Sequence, residues 1–260
     1  MSEASTAAAE SASAAEAPAE APAEAPAEAS PAGRAGGGTA DVRTRLLEAA
    51  ARLLAQEGRK ALTARRLAVE VGASTMVVYT HFGGMPELVR AVVEEGFERL
   101  ARMLSEVPPG DDPVVDLARL AVAYRANALA NPHLYSVMFS GSALGEYCAD
   151  DRDVRSGRFT AGAGTFVVLV AATERAMAAG RLPGAGDADP AEVSAQLWSA
   201  LHGYVMLELG GHFTSADEET VFIPLLRTMA LGLGAPLPDG LAKAIRADLP
   251  ESLMTPNAGR

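Results

Sequence analysis

Between Val71 and Gly84 the chain reads VGASTMVVYTHFGG. Ser74, Thr75, Tyr79, Thr80 and His81 bring hydroxyl and imidazole groups to this stretch, and Arg65 and Arg66 stand shortly before it. Guanidinium, hydroxyl and imidazole groups hold phosphate oxygens, whereas the interleaved Met76 and Val77 can lie against thymine methyl groups. The chemistry on offer is therefore recognition of a polyanion. A core helix has no use for that many donors, and the run stops abruptly at Gly83-Gly84.

Bond-breaking chemistry has no comparable set of residues. His81, His133, His202 and His212 show no metal-ligand spacing, and Cys148, the single cysteine, has no partner for a zinc knuckle. FSGSALG at 139–145 lacks the Gly-x-Ser-x-Gly elbow and lies among helical patterns rather than after a strand. No phosphate-cradling glycine motif follows a strand. We expect no catalytic centre, no metal and no cofactor.

The formal net charge is −11, which taken alone opposes a polyanionic partner. Its distribution does not. Residues 1–40 hold six Glu against one Arg, net −5; residues 41–85 hold seven basic against four acidic residues, net +3; the remainder holds 14 against 23, net −9. Salt screens charges beyond about 8–10 Å, so the local basic block governs phosphate attraction. One cysteine fits a reducing compartment, no apolar run is long enough to cross a bilayer, and MSEASTAAAE lacks the features of a secretory signal. A cytoplasmic protein without membrane contact is expected.

The elements that must position these groups are helices. Residues 1–40 repeat EAPA from Glu16 to Ala27, which blocks a continuous helix and reads as a disordered low-complexity tail. From Val42 a helix forms with Leu46, Leu47, Ala50, Leu53 and Leu54 on one face, and Gly58 stops it. Thr63 caps a second helix facing Leu67, Ala68 and Val71 inward. Gly72 turns the chain in a left-handed conformation, and Ser74 caps a third helix over 74–81. A fourth helix connects through 86–107 to Pro108-Pro109-Gly110. Further helices are expected near 113–130, 132–140, 158–180, 190–210 and 218–233, with Pro224 kinking the last or marking its true start, and with a tail over 234–260. The fold class is all-α: a three-helix helix-turn-helix domain over 41–85 and a helical ligand-binding and dimerisation domain over 108–233.

Small Ala68, turn Gly72 and buried Val78 together resemble the helix-turn-helix pattern, whose second helix enters the major groove. RTRLLEAA followed by LTARRLAVEVGASTMVVYTHFGGMPELVRAV is similar to the DNA-binding domain of the tetracycline-repressor (TetR) family over roughly 42–92. The resemblance implies that Thr63 and Arg65 meet phosphates or a base edge. Thr75, Met76 and Val77 would face base edges with Thr80 beside them, Tyr79 and His81 would bind phosphate oxygens, and Arg43 and Ser74 would join the same DNA-binding surface. Two residues depart from the family pattern. Met85 replaces a common backbone-contacting lysine, which should flatten the salt dependence, and Met76 replaces a small residue, which shifts the bases read.

In the second half, NPHLYSVMF at 131–139 and LWSALHGYVMLEL at 197–209 resemble a subgroup of TetR regulatory domains marked by Trp…His-Gly. Tyr124, His133, Phe139, Trp198 and His202 then read as a ligand chamber, although aromatic residues at helical spacing serve a packed core equally well. The resemblance further implies a homodimer through the last two long helices, with Leu197, Leu201, Val205, Leu225 and Met229 supplying apolar surface to core and interface. The resulting expectation is a transcriptional regulator of double-stranded operator DNA, a repressor released by a small-molecule effector. The alternative is a helical ligand-binding or scaffold protein that has lost operator binding.

Overall fold

The computed structural model describes residues 39–139, 163–247, 249–250 and 253, together with the backbone of 152–153 and 158–159. The expected tail up to Gly38, most of FSGSALG, and Cys148 lie outside the described residues. Helix α1 (Thr39–Glu57) buries Leu46, Leu47, Ala50, Leu53 and Leu54. Gly58 ends it at φ 75°, a conformation glycine adopts without steric cost. Thr63 Oγ1 accepts from the Arg66 N–H at 3.2 Å and starts α2 (Ala64–Val71), which buries Leu67, Ala68 and Val71. Gly72 closes α2 at φ 65°, and the Ala73 N–H donates to the Ala68 carbonyl at 2.8 Å.

That closure occupies the chain beyond Gly72, so α3 spans Met76–Phe82 and begins two residues later than expected. Ser74 serves through its carbonyl, which accepts from Val77 at 3.1 Å, and Thr75 precedes the helix without a side-chain cap. Helix α4 (Met85–Ser105) carries Pro86 in its first turn, where a missing N–H costs nothing. Asp112 caps α5 (Pro113–Ala130) by accepting from the Val114 N–H at 3.0 Å, and α6 (Pro132–Phe139) follows directly. Then come α7 (Ala163–Ala178) and α8 (Pro190–Leu209), the latter capped by Asp189. One wide π turn over Glu218–Phe222 leads into α9 (Ile223–Gly232).

Three expectations change. The helix expected from 158 begins at Ala163, because the backbone at Arg158–Phe159 pairs antiparallel with Arg152–Asp153. This two-residue ladder is the only strand pairing among the described residues. The helix expected over 218–233 is a π turn followed by α-helix, and Pro224 lies in the first turn of α9, marking its start rather than a kink. The expected tail over 234–260 contains α10 (Leu241–Arg246), and Leu241, Ile245, Leu249 and Leu253 are all buried. Leu241 and Ile245, four apart, share the face by which α10 packs on α5, and Leu249 and Leu253 lie beyond its end.

A continuous core runs from Leu46 to Leu253 and includes Leu88, Val92, Phe97 and Leu100 along α4. Helix α4 thus touches both the N-terminal helices and the larger C-terminal set. An ionic cluster, buried at Arg125 and Glu208, ties the latter together. Arg125 on α5 donates through Nε and Nη2 to Glu208 of α8 at 2.8 and 2.6 Å, and through Nη1 to Glu218 at 2.9 Å. Arg246 of α10 completes it by donating to Glu218 at 2.7 Å.

Candidate DNA-binding face and ligand chamber

Helices α2 and α3 divide their residues sharply. Leu67, Ala68, Val71 and Val78 face the core, whereas Arg65, Ser74, Thr75, Met76, Tyr79 and Thr80 are exposed, Met76 by 64% and Tyr79 by 50%. His81 is half-buried at the end of α3, its ring 6.3 Å from that of Phe82. Arg43 is exposed and places its guanidinium 5.4 Å from the Phe82 ring centroid. Val77, expected at a base edge, is half-buried and packs against the core, so part of its surface is already spent. Thr63 is exposed, but its Oγ1 already accepts the capping bond.

Three further groups are committed within this region. Thr80 Oγ1 donates to the Met76 carbonyl at 2.9 Å, leaving the hydroxyl an acceptor toward anything outside. Arg66 holds Glu57 with two bonds of 2.7 and 2.6 Å, and Arg45 donates to the Val71 carbonyl. Sequence spacing alone could not separate these arginines from Arg65. Met85 packs partly against the core and is not a free surface residue.

In the C-terminal set, a cavity of about 890 Å³ opens among α4, α5, α7, α8 and α9. Its wall includes Phe97, Leu100 and Leu104 of α4, Tyr124 of α5, Phe139 of α6 and Trp198 of α8. Small-molecule sites typically occupy roughly 300–1,000 Å³ with mostly apolar walls. One end carries a polar cluster: Trp198 Nε1 donates to Tyr124 Oη at 3.1 Å, and Tyr124 Oη lies 2.8 Å from Tyr135 Oη. His202 Nδ1 stands 2.7 Å from Tyr135 Oη and 3.1 Å from Tyr124 Oη. The Phe139 ring packs on this cluster, 4.6 Å from the His202 ring and 5.0 Å from that of Tyr135.

Tyr124, Phe139 and Trp198 therefore line this cavity, while His202 stands behind Tyr124 and Phe139 rather than on its wall. His133 is elsewhere. It lines a separate cleft with Arg45, Arg52, Glu70 and Arg99, beside α1. The helix explains the difference: 135 and 139 share a face, and 133 lies about 200° from 135. Tyr135 is the member that sequence reasoning missed, although its spacing of four from Phe139 placed it on the same face.

Residues 46–92 match the family described as bacterial regulatory proteins, tetR family, and residues 117–229 match the tetracyclin repressor-like C-terminal domain. The chain is 31% identical over 195 residues to Rv0681, an uncharacterized HTH-type transcriptional regulator of Mycobacterium tuberculosis, covering 74% of this chain and 81% of that one. This chain belongs to the tetR family. Its members are DNA-binding transcriptional regulators and not enzymes. Among solved structures, a protein of unknown function from Rhodococcus sp. RHA1 superposes with a TM-score of 0.57 at 26% identity, covering 74% of this chain and 94% of the other. FadR from Bacillus subtilis, solved in complex with stearoyl-CoA, shares the fold at 13% identity with a TM-score of 0.59, covering 73% of this chain and 98% of the other.

In this tetR-family chain the residues expected to supply apolar surface to core and interface separate into groups. Val205 is core, the buried Leu201 lines the chamber together with Leu197 and Met229, and Leu225 is half-buried. Another strip on α8 is open instead: Gly203, Met206 and Leu207 are exposed, the last two by 43% and 46%. No described helix is long and apolar enough to cross a membrane, and no metal-binding cluster occurs among the described residues.

Burial holds His202 below its ordinary imidazole value. The unfolded chain therefore binds this proton more readily than the folded one. The stability at stake is fully present above the unfolded value and falls as pH drops toward the depressed folded value. Urea midpoints measured from about pH 8 down to about pH 5 should fall more steeply for the wild type than for His202→Gln. Parallel curves would remove His202 from the pH response.

Proposed function

We propose that this regulator acts as a homodimeric repressor that leaves its operator when a small apolar molecule fills the C-terminal chamber. The observation carrying the DNA contact is the divided surface of α2 and α3. Arg65 and Tyr79 bring phosphate-directed donors to the exposed side that carries Thr75, Met76 and the acceptor-only hydroxyl of Thr80, and the half-buried His81 adds its imidazole from the end of α3. Phosphate contacts fix the register of α3, and the shorter side chains then read base edges. A single motif reaches one major groove, so two heads about 34–36 Å apart are required for a palindromic site.

Helix α4 supplies the link between chamber and head. Leu88, Val89 and Val92 pack in the core near its start, and Phe97, Leu100 and Leu104 form chamber wall further along. A ligand that fits better when α4 is tilted shifts the population toward heads spaced wrongly for the two grooves. Equal affinity for both arrangements would change nothing.

Tyr79→Ala should weaken binding to the DNA flanking the regulator's own gene by about 1–3 kcal/mol, with the helical circular dichroism unchanged. Gel shifts at fixed salt provide the measurement. Wild-type affinity in Tyr79→Ala/His81→Ala would defeat the assignment of this face.

A further inference from the structure

We infer that the chamber is built for an uncharged apolar molecule bearing one hydrogen-bond acceptor of carbonyl type, which takes its bond from the Tyr124 hydroxyl. This rests on the chamber being the effector site. The walls leave little choice of polar partner. Among the described lining residues the only charged side chains are Glu174 and Glu192, both exposed, and there is no Lys, Arg or His. A buried carboxylate or phosphate would have no counter-charge there, and an unpaired ion in an apolar site is strongly disfavoured.

Tyr124 is distinguished from the other lining residues by what it already accepts. Trp198 donates to its oxygen at 3.1 Å, which polarises the phenol and strengthens its own O–H as a donor. Its proton is also easily released from service. Tyr135 Oη and His202 Nδ1 lie 2.7 Å apart and can satisfy one another, with Tyr135 donating. Tyr124 then gives up only one neutral bond to Tyr135 when its hydroxyl turns toward a carbonyl in the chamber. Burial pushes the Tyr124 phenol up to about 12, so it retains the proton it would donate.

The chain's one tryptophan, Trp198, reports on the site directly, since it both lines the chamber and bonds Tyr124. Its emission is followed while the intact protein is titrated with 2-dodecanone, dodecane, dodecanoate and dodecylammonium, each kept below its aggregation limit. The ketone should bind about tenfold tighter than dodecane and tighter than either ion. In Tyr124→Phe the ketone should lose that margin over dodecane; comparing the two probes within one variant cancels any change in packing. In Tyr135→Phe/His202→Phe, which removes both acceptors within reach of the Tyr124 proton, the margin should persist. Tightest binding of the carboxylate or the ammonium, equal binding of ketone and dodecane, or a margin that survives Tyr124→Phe overturns the inference while leaving the chamber as effector site. Loss of the margin in Tyr135→Phe/His202→Phe also overturns it, because the cluster would then act only as a scaffold. Failure of every probe to bind removes the chamber reading itself, and the inference with it.

Discussion

Arg125→Met is expected to destabilise the folded chain by about 3–5 kcal/mol, the range observed when one partner of a buried ion pair is deleted. The side chains of Arg125 and Glu208 are each only 4% exposed, joined by bonds of 2.8 and 2.6 Å. Methionine preserves much of the volume but strands the Glu208 carboxylate in the interior. Glu218 fares better, since Arg246 still donates to it at 2.7 Å. Phe222, whose ring centroid lies 5.0 Å from the guanidinium, loses its cation as well. The double replacement Arg125→Met/Glu208→Leu removes both charges and should recover most of the loss, because an apolar pair needs no desolvation of ions. Urea denaturation of the two variants and the wild type measures this. A double variant no more stable than Arg125→Met would show that the stranded carboxylate is not the cause.

Gly203→Arg should leave a folded, helical monomer whose operator affinity is reduced by about 10²–10⁴-fold, the typical span of lost avidity. Gly203 is exposed on α8, and a Cβ built on it meets nothing within 4 Å, so the arginine has room in the isolated chain. It would stand in the open strip with Met206 and Leu207, which we propose faces the partner copy. A charged side chain there blocks close approach of a second α8 and leaves each head to bind alone. Sedimentation reads the assembly state, and gel shift reads the affinity. A dimer with full operator binding would move the interface to another surface. Loss of helicity would instead show that Gly203 serves the fold.

The head was legible because its signals are local. Thr63, Gly72 and Val78 each answer a requirement that lies within a few residues: a capping oxygen, a left-handed turn and a buried anchor. The start of α3 was misread since Ser74 is a good capping residue in isolation, whereas the closure of α2 through Ala73 had already claimed that stretch. The chamber was half legible. Tyr124, Phe139 and Trp198 could be placed on helices, but helical period cannot tell which face meets an empty space and which meets packed side chains. His133 shows the cost, since it lines a different cleft. The segment over 234–260 is expected as a tail, yet α10 forms there. The recurrence of leucine or isoleucine at 241, 245, 249 and 253 is visible in the sequence, and all four side chains are buried.

That late segment also bears on how the protein is made. Arg119 on α5 donates through Nη2 to the carbonyl of Ala244, 125 residues further along, at 2.9 Å. During synthesis α5 emerges long before the residues that cover it, so its apolar side stays bare while the head, built from near neighbours, has already assembled. A ribosome stalled before Leu241 would release a finished DNA-binding end attached to an unsealed body, a product suited to chaperone capture or proteolysis rather than regulation.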